Sequence, residues 1–108
     1  MIVKAHLAAF RYEGEPVAVR EIEIPEEDVR KIIGDNKTSV GTGFDLAELA
    51  FKYGQNDFQP RPMRSVSVDD VVEIPLYGRF LVEGVGFSYL VGSIEAHAAK
   101  VARKRGDY

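Results

Sequence analysis

Between Gln55 and Ser67 the chain gathers its densest run of hydrogen-bonding side chains: Gln55, Asn56, Asp57, Gln59, Arg61, Arg64, Ser65 and Ser67. Guanidinium groups grip phosphate or carboxylate bidentately, and aromatic rings stack on nucleobases. Arg61 and Arg64, with Lys52 and Arg79 as further cations and Tyr53, Phe58 and Tyr77 as rings, have the residue types for such a surface. The plainer reading pairs the arginines with Asp57, Asp69 and Asp70 and turns the rings toward the core, since surface ion pairs of this kind are common and weak.

Other reactive residues form no complete catalytic set. Asp69 and Asp70 are adjacent, and neighbouring strand residues point to opposite faces, so joint acid–base or metal work is disfavoured. One of them is expected instead to accept backbone N–H bonds at the start of a strand. Ser65 and Ser67 share a parity, with Val66 and Val68 on the other expected to face inward. As nucleophiles the serines would need a base. The only histidines are His6, in a first strand, and His97, in a last helix, and each reads more simply as a structural residue. Gly41-Thr42-Gly43 lacks the lysine and the spacing of a phosphate-binding loop. With no cysteine, thiolate catalysis, disulfides and Cys-based metal sites are excluded. No catalytic residue, cofactor or metal site is assigned, and a non-enzyme is favoured.

The 108 residues suit a single domain over 1–108, and 45% hydrophobic residues are enough for one core. A net charge of -3 argues against strong nonspecific attraction to nucleic acid or acidic membranes. The apolar run near the N-terminus is broken by Lys4 and His6, too short for a signal peptide, and no stretch approaches a membrane span. A soluble, cytoplasmic protein is expected.

The elements that position these groups follow from periodicity. Residues 2–12 are apolar on both parities, as in a strand covered on both faces. Glu13 to Pro16 is a turn, and 17–24 a second strand completing an antiparallel hairpin. The apolar parity shifts from Val17/Val19 to Ile22/Ile24, which predicts a bulge near Arg20. Pro25 followed by Glu26, Glu27 and Asp28 starts a helix over 26–33, with Val29, Ile32 and Ile33 on its inner face and Gly34 as its stop. A polar loop over 34–42 leads to a helix over 44–53, started by an Asp45/Glu48 capping box. Val66 to Ile74, the turn Pro75 to Gly78 and the strand 79–83 form a second hairpin. Gly84 and Gly86 interrupt it before Phe87–Val91, which continues the strand or begins another. From the N-cap Ser93 a last helix runs to 104, with Ile94, Ala98 and Val101 inward. Lys100, Arg103, Lys104 and Arg105 suit its C-terminal dipole.

The pattern of Asn56-Asp57, Pro60, then Ser65, Ser67, Val68, Asp70, Val71 and Val72, closing with Val82, Gly86 and Phe87, resembles a YodL-like domain. Such domains occur in proteins of mobile elements and in uncharacterised bacterial proteins. The resemblance covers roughly residues 50–90, with Asp69 standing where Gly or Ser is more usual. It implies a compact α+β unit and carries no reaction. The Ser67-to-Val72 segment is also similar to the strand entry of small β-barrel domains of the PUA/ASCH kind, which implies RNA binding.

The expected fold is α+β: two antiparallel β-hairpins forming one small sheet, with two short central helices and a C-terminal helix packed mainly on one face. The expected function is a binding or accessory module that engages a protein partner through the 54–65 loop. Its candidate residues are Gln55, Asn56, Asp57, Arg61, Arg64, Ser65 and Ser67. The alternative is a small β-domain binding RNA or DNA through Arg61, Arg64 and the neighbouring aromatics. Edge strands leave a homodimer open.

Overall fold

A computed structural model of the chain describes residues 1–9, 16–35, 38–55 and 65–104. The order along the chain is β1 (Ile2–Leu7), β2 (Ala18–Glu23), α1 (Glu26–Asp35), α2 (Ser39–Tyr53), β3 (Val71–Ile74), β4 (Gly78–Val82), β5 (Phe87–Tyr89) and α3 (Ile94–Lys104). The five strands form one antiparallel sheet in the order β2-β1-β3-β4-β5. This is the expected α+β architecture. The β1–β2 and β3–β4 hairpins join through β1 and β3, and Phe87–Tyr89 is a strand of its own.

Strand alternation decides the core. Val3 and Ala5, Ile22, Val72, Phe80 and Val82 lie opposite one another on one face, and all are buried. Leu46, Ala47 and Ala50 of α2 and Val29 of α1 complete this cluster. Full burial of each large apolar side chain stabilises by roughly 1.5–3 kcal/mol relative to exposure. Tyr53 donates from its hydroxyl to Asp28 at 2.5 Å, which ties α2 to α1. That hydrogen bond, followed by burial and the charge of Asp28, pushes the phenol pKa up.

The other face divides in two. Across its open half, Glu21, Lys4, Glu73 and Arg79 stand in register on four successive strands, alternating in charge. Directly opposed unlike charges favour this pairing. Leu81, on the same face, lies beneath α3. Two of the three helices thus cover the core face. No helix among the described residues is long and apolar enough to cross a membrane.

Three local expectations are corrected. The β1–β2 register runs unbroken from Ile2↔Glu23 to Leu7↔Ala18, so there is no bulge at Arg20. The inward parity belongs to Arg20 and Ile22, leaving Val19 52% exposed while Arg20 is 1% exposed. α2 begins five residues earlier than the 44–53 expectation, its N-cap being Thr38, whose Oγ1 accepts from the Gly41 N–H at 3.1 Å. Gly43 then lies inside the helix because Phe80 packs there: a Cβ at Gly43 would stand 2.7 Å from Phe80 Cζ. Phe44, Phe80 and Tyr89 form an aromatic trio around this point, with centroids 4.8–5.1 Å apart. Finally, Val68 is 47% exposed and precedes β3, whereas Val66 is buried as expected.

The turn joining β3 to β4 stores strain. The Tyr77 N–H donates to the Ile74 carbonyl at 3.0 Å, and Leu76 takes φ +72° in the third position of the turn. Proline before a positive φ is the type II pattern, which favours glycine or asparagine at the site of Leu76. The Leu76 side chain is fully exposed, so no packing offsets that strain. Leu76→Gly is expected to raise stability by about 0.5–1 kcal/mol, read as a higher urea midpoint at unchanged slope. A lower midpoint would show that the side chain is held by contacts.

Candidate functional site

Of the seven candidate residues, Gln55, Ser65 and Ser67 are among those described. Asn56, Asp57, Arg61 and Arg64 lie outside them, as does Phe58. What the structure presents is the base of the loop, where the chain leaves α2 and returns toward β3. The Val66 N–H donates to the Gly54 carbonyl at 3.3 Å, which joins the two feet. Gln55 reinforces the join, its Nε2 donating to the carbonyls of Phe51 at 2.9 Å and Val66 at 3.2 Å. A side-chain amide with two donors on two carbonyls is fully used as a donor. Gln55 is therefore part of the anchor.

Beneath the join sits Arg20, whose Nη1 donates to the same Gly54 carbonyl at 2.7 Å. Gly54 thus receives one bond from each side of the sheet-to-loop junction. Only glycine fits there: a Cβ at Gly54 would stand 2.6 Å from Val66 Cγ2 and 2.9 Å from the Ala50 carbonyl oxygen. Sequence reasoning missed Arg20. The available signal was its parity with Ile22 and Ile24, which argues for an inward position if the strand is regular.

The second foot is set by Asp70, which is wholly buried. Its Oδ2 accepts from the Ser67 N–H at 2.9 Å and its Oδ1 from the Ala9 N–H at 2.8 Å. The Asp70 N–H returns to the Ser67 carbonyl at 3.0 Å, closing a turn in which Asp69 has φ +79°. Asp70 is thus the backbone-capping aspartate that the sequence led us to expect. Ser65 and Ser67 are half-buried, and the Ser67 hydroxyl donates to the Ser65 carbonyl at 3.3 Å.

The expected basic and aromatic surroundings are only partly assembled. Lys52 lies over the Tyr53 ring at 5.5 Å, near the loop base on α2. Tyr77 packs against Gly43, toward the opposite end of that helix. Arg79 stands opposite Glu73 on the other face of the sheet.

The two histidines are engaged separately. His6 Nε2 lies 2.8 Å from Glu73 Oε1. His97 Nε2 lies 2.8 Å from the Asp69 carbonyl oxygen, which can only accept, so Nε2 carries the proton. That bond docks α3 onto the turn that Asp70 holds. His97 also lines a half-open cleft with the side chains of Glu83, Lys100 and Lys104. Among the described residues no three of His, Asp and Glu converge as a metal ion would require.

Fold and junction together define a small antiparallel α+β unit with a polar segment mounted on a locked base. The chain matches no known family model, no curated protein and no solved structure.

Proposed function

We propose that the protein is a non-enzymatic binding or accessory module that engages a protein partner through residues 54–65. The observation that carries this reading is the construction of the loop base. Arg20 through a buried hydrogen bond, and Gln55 and Asp70 through half-buried ones, fix the two feet. A segment rich in Gln, Asn, Asp and Arg begins and ends on this support. Fixed feet reduce the ordering entropy lost on binding, which is how a rigid scaffold makes a polar loop an effective recognition element. The YodL-like resemblance, with its mobile-element and bacterial setting, belongs to the same proposal.

The test is an affinity capture with wild type and an Arg61→Ala/Arg64→Ala variant of matching melting temperature. A partner band retained by wild type and lost by the variant supports the reading. If the variant keeps every partner, the loop is not the recognition surface. Binding of labelled oligonucleotides that falls with salt and with the double substitution would instead favour the RNA- or DNA-binding alternative.

A further inference from the structure

The sheet ends in two free edges of opposite character. Met1 and Ile24 exchange backbone bonds, and the register carries that alternation along β2, so Val19, Glu21 and Glu23 turn their peptide groups away from β1. Two exposed carboxylates on a free strand guard it against pairing with its own copy. On the other side, the Leu90 N–H donates to the Arg79 carbonyl at 3.0 Å and the Glu83 N–H to the Gly86 carbonyl at 3.1 Å. That alternation turns the peptide groups of Ser88 toward β4 and those of Phe87 and Tyr89 outward. Residues 84–94 are the longest run in the chain without Asp, Glu, Lys or Arg, and they contain no proline. Val85 and Val91 are each 93% exposed, and Tyr89 is 43% exposed. Neither charge nor proline guards this edge.

We propose that β5 pairs antiparallel with β5 of a second copy, joining two five-stranded sheets about a two-fold axis at Ser88. The edge itself selects the occupant. An isologous contact makes a surface face its own copy, and in a chain of net charge -3 the uncharged edge can do so without setting its own charges against each other. The hydrogen bonds select the axis. Only with Ser88 opposite Ser88 do both outward residues of the strand, Phe87 and Tyr89, find partners in each other. Each Phe87 ring then stands beside a Tyr89 ring, a stabilising cross-strand pair. Beyond Tyr89, each chain carries Val91 past the hairpin tip at which the other exposes Val85, so both valines leave water. Glu83 works against the contact. Its Oε1 accepts the Ser88 hydroxyl at 2.6 Å, which brings one carboxylate from each copy toward the axis. No residue of the 54–65 loop enters this contact.

The test is sedimentation velocity at rising concentration, in which wild type is expected to move from the 12.0 kDa of the chain toward twice that mass. Two variants read the register. Val85→Lys/Val91→Lys sets like charges against each other on both sides of the axis, and Val85→Glu/Val91→Lys sets opposite ones. Both positions are exposed, so both variants are expected to melt as wild type does. The dissociation constant of the double lysine variant should exceed that of the glutamate–lysine variant by about tenfold or more, since each mismatch occurs twice. Glu83→Gln should tighten the dimer several-fold. A wild type still monomeric at about 1 mM, the weak end of the affinity scale, would overturn the proposal. Equal dissociation of the two valine variants would show that Val85 and Val91 do not meet, and would overturn the pairing of these edges. A Glu83→Gln protein no tighter than wild type would move the axis away from Ser88 and overturn the register.

Discussion

Replacing Asp70 with alanine is expected to lower the unfolding free energy by about 3–5 kcal/mol, enough to unfold a marginal domain. The carboxylate is completely buried and holds the Ala9 and Ser67 N–H groups, one on each oxygen. Its removal strands two backbone donors, and each unsatisfied buried donor costs about 1–3 kcal/mol. Asp70→Asn keeps the shape and one acceptor but turns an NH₂ toward the other N–H, so its loss should be intermediate. Urea denaturation orders the three proteins. Asp70→Ala within 1 kcal/mol of wild type would show that water takes over both bonds. The consequence is not local, because Ala9 follows β1 and Ser67 is the far foot of the loop. The expected first sign in Asp70→Ala is faster amide exchange at Ser67 and Ala9 together.

Arg20→Ala should cost about 2–4 kcal/mol, combining a large-to-small change in the core with loss of a charge-assisted bond to the Gly54 carbonyl. Arg20→Met separates the two contributions, since it retains most of the aliphatic volume. About 1–2 kcal/mol is expected for Arg20→Met, with exchange at the Val66 amide accelerated by more than that at Ile22. A methionine protein as stable as wild type would mean that packing alone keeps residue 20 inside. Buried charged groups can be replaced by apolar ones without loss, so this outcome is informative in either direction.

Much of the fold was legible because its causes are local. Pro25 with three following carboxylates announces α1, Ser93 caps α3 through the Ala96 N–H at 3.0 Å, and the Pro75–Gly78 turn announces the second hairpin. The errors fall where a distant residue decides. Arg20 breaks the apolar pattern of β2 because its acceptor lies 34 residues on. The glycine-rich stretch before Phe44 reads as loop by propensity, yet the space taken by Phe80 makes Gly43 a helical residue. The alternation of Ser65 to Val68 reads as strand, yet the Asp70 carboxylate folds Ser67 to Asp70 into a turn. The candidate site was legible as composition alone. Its base depends on contacts between α2, β2 and the start of β3, which no short-range pattern encodes. Lys100 and Lys104 were visible as basic residues near the C-terminus, but the cleft that they line with Asp69 and Glu83 exists only once α3 lies across Leu81.

The joined feet at Gly54 and Val66 also bear on how the chain can change over time. The base is closed by its own bonds and by Arg20 beneath it, so the two ends of the loop are brought together by residues that lie outside it. Doubling a flexible loop adds only about 0.6 kcal/mol of closure entropy. A change in the number of residues between the feet is therefore expected to cost the fold far less than a change at Arg20, Gly54 or Asp70, which hold the feet themselves.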